Sequence, residues 1–145
     1  MSSTWNNNIG FTVFGESHGP AIGVVMDNVP PGESIDLDKI YQFMARRAPK
    51  QNKTSTQRKE KDMPQIMSGY FNGKTTGTPL CALIANTDQH SQDYSNLSKL
   101  ARPGHADYTG ALRYRGFKDE RGGGHLSGRL TAPLCLAGAE AGQEL

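Results

Sequence analysis

Residues 9 to 29 read IGFTVFGESHGPAIGVVMDNV. Two apolar, β-branched runs, 9 to 14 and 21 to 29, flank the polar, glycine-containing GESHGP, a pattern that predicts a hairpin with His18 at its tip. Pro30, Pro31 and Gly32 close the second strand, since proline has no N–H for a ladder. Beyond them Leu37, Ile40, Tyr41 and Met44 recur at helical spacing. They predict a helix over 35 to 47, capped by Ser34 and stopped before Pro49, with Arg46 and Arg47 in the last turn where the helix dipole favours positive charge. A second hairpin is expected over 65 to 86: QIMSGYF, a tight turn at Asn72-Gly73, then a strand in PLCALIANT.

Further along, the polar segments 50 to 63 and 87 to 101 read as loops. HADYTGALRYRG reads as a short helix and RGGG at 121 to 124 as another loop. A last helix is expected from Thr131, with that hydroxyl as cap and Pro133 in the first turn. It is still running where the 145 residues stop, so the expectation is a single domain over 1 to 145 that forms part of something longer. Hairpin-paired strands followed by helices argue for an α+β fold of antiparallel hairpins packed with helices, not a parallel α/β sheet.

Composition narrows the function. The net charge of +2 is too small to imply a polyanion partner. The surplus lies between Arg46 and Lys61, where no aromatic residue is available to stack on bases, so nucleic acid is the less attractive partner and a small anionic substrate the better one. Cys81 and Cys135 sit in the apolar runs PLCALI and PLCLAG, as buried reduced thiols would. MSSTWNNNIG lacks a signal-peptide pattern, and no run approaches the roughly 18 apolar residues of a membrane span. There is no GxGxxG, P-loop or CxxC. His90, His105 and Asp107 lack the spacing of a metal site, so no metal is assigned.

Glycine makes up 17 of 145 residues, about 12% against a usual 7%, and the excess falls in three histidine-bearing segments. GESHG at 15 to 19 sets His18 beside Glu16 and Ser17, where a carboxylate can tune its proton; a plain surface histidine is the simpler reading. RPGHADYTG at 102 to 110 joins Arg102, a planar donor for phosphate or carboxylate, to His105, a proton donor; the residues equally allow a helix start with Asp107 in its first turn. RGGGHLSGR at 121 to 129 can aim glycine amides at an anion, with Ser127, Arg121 and Arg129 as further donors, or can be a simple connector. Three such loops suggest one proton-transfer site.

FGESHG, SQDY at 91 to 94, RPGHADYTG and the RGGG segment, in this order, resemble the N-terminal part of the chorismate synthase family. The resemblance implies a β-α-β sandwich in a longer, cytoplasmic, homotetrameric lyase. It implies anti-1,4-elimination of phosphate from 5-enolpyruvylshikimate 3-phosphate to give chorismate, a step towards aromatic amino acids. The family needs reduced FMN, with NADPH as the electron source where an enzyme regenerates its own flavin. Position by position, His18 corresponds to the proton donor to the flavin and His105 to the residue that assists phosphate departure. His125, Leu126, Ser127 and Arg129 correspond to flavin-binding positions, and Arg47 and Lys53 to positions that contact nucleotide or substrate phosphate. The chain departs from the usual RSSARET with HLSGRLT, and carries Lys53 where an arginine is common, which removes a bidentate phosphate contact. The rival reading is a non-catalytic flavin- or phosphate-binding module, which has no use for both His18 and His105.

Overall fold

The computed structural model describes residues 3–47, 62–87 and 100–143. Lys53, His90, SQDY and most of the basic segment lie outside them. The first hairpin forms as expected, from β2 (Gly10–Gly15) and β3 (Ala21–Asp27), paired in register from Gly10↔Asp27 to Gly15↔Ile22. It is preceded by a strand that the sequence does not announce. β1 (Thr4–Asn6) has no apolar alternation and exists by pairing with β2, where Trp5 stacks on Phe11 at 5.0 Å between centroids. Cross-strand aromatic pairs of this kind stabilise an edge strand that propensity alone would not.

The second hairpin is built differently from the expectation. QIMSGYF is not one strand: β4 (Pro64–Ser68) and β5 (Tyr70–Phe71) are separated at Gly69, with a register shift between Ile66 and Ser68. Gly69 has φ +79°, and a β-carbon there would stand 2.4 Å from the α-carbon of Leu80. Only glycine allows that approach. Asn72 and Gly73, both with positive φ, do make the tight turn, but of the small ribbon of β5 with β6 (Lys74–Thr75). β7 (Leu80–Ala85) then returns to pair with both β3 and β4, giving an antiparallel sheet in the order β1-β2-β3-β7-β4.

Helix α1 (Leu37–Arg47) buries Ile40 and Met44 as its periodicity predicts. Its cap is Asp36, not Ser34: the Asp36 carboxylate accepts from the backbone N–H of Asp38 and Lys39, at 3.0 and 3.2 Å, while Ser34 forms an isolated bridge with Lys74. α2 (Asp107–Arg113) is the expected short helix, and single 3₁₀ turns at Gly124–Leu126 and Gly128–Leu130 lead into α3 (Thr131–Ala141). Thr131 does not cap α3; its hydroxyl donates back to the Gly128 carbonyl at 2.7 Å, and Ser127 Oγ accepts from Arg129 N–H one turn earlier.

α3 packs on α1 and on β3. Ile22, Val24 and Met26 of β3 alternate with Leu80, Ala82 and Ile84 of β7 to meet Ile40, Met44, Leu136 and Ala137 in one core. Period-two strands face period-3.6 helices, an α+β arrangement as read from the sequence. Glu140, near the end of α3, is buried as well. Cys81 and Cys135 are free thiols but only half-buried, and burial raises the Cys81 pKa, which keeps it a thiol.

Candidate active site

GESHGP is not an exposed tip. Ser17 and His18 are 1% and 3% exposed, because the RGGG turn lies over them: Ser17 N–H donates to the Gly124 carbonyl at 3.1 Å. Ser17 Oγ and His18 Nδ1 share a hydrogen bond of 3.0 Å. Gly122, with φ +64°, sits against the imidazole so closely that a β-carbon would stand 2.5 Å from Cε1. The surface-histidine reading is therefore wrong for His18. Below the loop, the side-chain amide of Asn86, just past β7, donates to the carbonyls of Glu16 and Gly19 at 3.0 and 2.8 Å.

Asn86 also accepts from Arg129 Nε at 3.1 Å, and Arg129 Nη1 donates to Asp62. The other Asp62 oxygen accepts from Arg47 Nη1. The Asp62 side chain is wholly buried, that of Arg129 nearly so, and that of Arg47 only partly. The resemblance implies a phosphate role for Arg47 and a flavin role for Arg129; the fold joins both to one carboxylate. The triad keeps a net positive charge, and only its Arg47 end reaches solvent.

The RPGHAD turn reaches the same glycine segment from the other side. Arg102 forks onto Asp107, Nε at 2.8 Å and Nη2 at 2.9 Å, and Nη2 also donates to the Gly122 carbonyl at 3.1 Å. The hydrogen-bonded Arg102 guanidinium holds the Asp107 carboxyl well below the usual carboxylate range. The helix-start reading holds, with Asp107 opening α2, and the Arg102 fork is taken up by that carboxylate. His105 stands exposed on the turn between them.

His125 and Leu126 line two neighbouring clefts, of about 800 and 610 Å³, and Ser127 lines the second. Phe14, Tyr114 and Phe117 form apolar walls of the larger one, a size and character suited to a flat organic ligand. The His125 ring is pinned: Nδ1 donates to the Gly15 carbonyl at 2.7 Å, leaving Nε2 to accept from Ser3 Oγ at 2.6 Å. At the rim, burial and the neighbouring Asp119 carboxylate raise the Glu16 pKa, while the hydrogen-bonded fork from Arg121 lowers that of Asp119 to about 2. Neither His18 nor His105 is on the wall of these clefts. The 121 to 129 segment therefore contacts His18 and Arg102 through Gly122, while Arg47 meets Arg129 only through Asp62, and neither cleft collects these groups.

Among the described residues no three of His, Cys, Asp and Glu are grouped to hold a metal ion, and no helix is long and apolar enough to cross a membrane. The model of the family described as chorismate synthase matches residues 9–145. This chain belongs to the chorismate synthase family. It is 56% identical over 130 residues to the chorismate synthase of Ralstonia pickettii (strain 12J), covering 90% of this chain and 35% of that protein. It is 52% identical over 139 residues to that of Albidiferax ferrireducens, covering 96% and 38%. A crystal structure of a chorismate synthase superposes with a TM-score of 0.65 at 27% identity, over 94% of this chain and 33% of that one. The chain thus spans about a third of the length of these family members, and the α+β fold expected from the sequence is the family's.

Asp62, Asn86 and the Glu16–Asp119 pair escape a reading of sequence motifs. Asp62 follows a charged, aperiodic run and Asn86 ends an apolar strand. The one available signal is a polar residue directly abutting PLCALIA, where a solvent-bound loop would not require an amide.

Proposed function

We propose that this chain supplies the N-terminal part of a chorismate synthase active site, for anti-1,4-elimination of phosphate from 5-enolpyruvylshikimate 3-phosphate. The observation that carries the reading is the burial of His18 beside Ser17, under Gly122, whose carbonyl accepts from Arg102. A buried imidazole with one ring nitrogen held by a hydroxyl has a defined direction for its other nitrogen, which suits a proton donor. His105, on the exposed RPGHAD turn, is the group that protonates the departing phosphate. Arg102, Arg47 and Lys53 supply positive potential for that dianion.

His125, Leu126 and Ser127 are the residues that would hold reduced FMN: they line clefts large enough for a planar ring. Arg129 supports that stretch from behind, its guanidinium being buried on Asp62 and Asn86. Reduced FMN, when bound, supplies the electron density that makes a redox-neutral elimination feasible. The same reading makes the whole protein a cytoplasmic homotetramer, with NADPH as a source of reduced flavin.

The test replaces the matching third of the Ralstonia pickettii relative by this chain. The chimera, with reduced FMN, is expected to release phosphate and form chorismate, and His18→Ala or His105→Ala to lower that rate by about 10²–10⁴. The 145-residue chain alone is expected to show little or no turnover, because catalytic groups displaced by about 1 Å lose about a hundredfold. A folded chimera that binds FMN without turning over would leave only a binding module and sink the reading.

A further inference from the structure

Asn86 is 8% exposed, and its backbone N–H and both ends of its side-chain amide are spent on the same neighbourhood. Its backbone N–H donates to the Pro20 carbonyl at 3.1 Å. Its side-chain NH₂ donates to the carbonyls of Glu16 and Gly19, and its Oδ1 accepts from Arg129 Nε. The amide orientation follows from chemistry: carbonyls only accept and a guanidinium only donates, so nitrogen faces the loop and oxygen faces Arg129. The two carbonyls bracket Ser17 and His18. Arg129 continues on its other edge to Asp62, and Asp62 to Arg47.

We infer that Asn86 is a positioning residue, one that holds the His18 loop in fixed relation to Arg129 so that the proton donor and the arginine pair on Asp62 form a single rigid unit. A loop of five residues between β2 and β3 has several turn conformations of similar energy. Its internal hydrogen bond, Gly19 N–H to the Glu16 carbonyl at 3.1 Å, closes the turn but does not set its tilt against the rest of the protein. Asn86 does, because its two donors reach both ends of that turn from the residue that follows β7. The inference rests on the reading of His18 as a proton donor, but the geometry concerns this chain alone.

Two variants of the 145-residue chain separate the two halves of the clamp. Asn86→Ala removes both. Asn86→Asp keeps an acceptor for Arg129 and sets an oxygen against two carbonyl oxygens, so it releases only the loop. In both, amide hydrogen exchange at Ser17 and Gly19 is expected to accelerate by about tenfold or more, as two buried hydrogen bonds to that loop are lost. The ¹⁵N shifts of the His18 ring are expected to move, reporting a changed tautomer balance. Ile84→Val, a core change two residues away on β7, lowers the Tm but leaves the His18 shifts in place. Unchanged His18 shifts and unchanged exchange in both variants would overturn the inference. Loss of folding in both, with Ile84→Val still folded, would make Asn86 a purely structural residue and overturn it as well. None of these readouts needs flavin or substrate, so their failure is separate from a failure of phosphate release.

Discussion

The imidazole of His18 rests on Gly122 with no room for a side chain between them: a β-carbon would stand 2.5 Å from Cε1 and 2.7 Å from Nδ1. Gly122 also has φ +64°, a backbone region costly for other residues. Gly122→Ala therefore adds backbone strain to a clash with a buried ring. Urea denaturation is expected to show a loss of about 2 kcal/mol or more. A variant as stable as the parent would mean that the RGGG turn does not cover His18 in solution.

The Asp62 carboxylate lies between two guanidinium groups, one of them nearly inaccessible to water. Asp62→Ala removes the carboxylate to which the buried Arg129 guanidinium donates, and is expected to cost about 3–5 kcal/mol in chemical denaturation. Removing both charges in Asp62→Ala/Arg129→Met is expected to restore part of that loss, since an apolar pair tolerates burial better than a cation that has lost this carboxylate does. A double variant that loses the full sum of its single changes would argue against the pair.

Acid should weaken this fold in a particular window. The Arg121 fork lowers the Asp119 pKa from 3.8 to about 2, and Arg102 lowers that of Asp107 further still. A carboxylate with a depressed folded-state pKa stabilises above its unfolded value, and that contribution disappears as pH falls from about 4 through the folded value. Asp119→Asn is thus expected to lower the Tm at pH 7 and to leave it unchanged well below pH 2.

Glu16 has the opposite sign. Its pKa is raised by burial and by Asp119, so its ionisation weakens the folded state as pH rises through the folded value. Glu16→Gln is expected to raise the Tm at pH 7 and to do nothing at a pH below 4. Circular dichroism melts across pH check both carboxylates, and a lower Tm for Glu16→Gln at pH 7 would refute the assigned sign.

Much of the scaffold follows from local chemistry. The alternation in 10 to 15 and 21 to 27, the 3.6-residue spacing of Ile40 and Met44, and the positive-φ pair Asn72-Gly73 each act over a few residues, so the chain announces them. The misreadings share one cause. Ser34 and Asp36 are both good caps, and a two-residue shift in where the helix starts selects between them. β1 has no pattern of its own and needs Phe11 beneath Trp5. Thr131 looks like a cap until Gly128 offers its carbonyl.

The site divides in the same way. Its glycine and histidine motifs are visible as strings of letters, because loops that let groups approach closely need glycine locally. Which histidine is buried, and which residues hold it, is set by contacts between segments scores of positions apart: Gly122 over His18, Asn86 beneath Glu16 and Gly19, Asp62 against Arg129. Desolvation and charge pairing depend on distance in space and not along the chain, so His18 becomes a buried, oriented imidazole, and His105 an exposed one, only once the sheet and helices have closed around them.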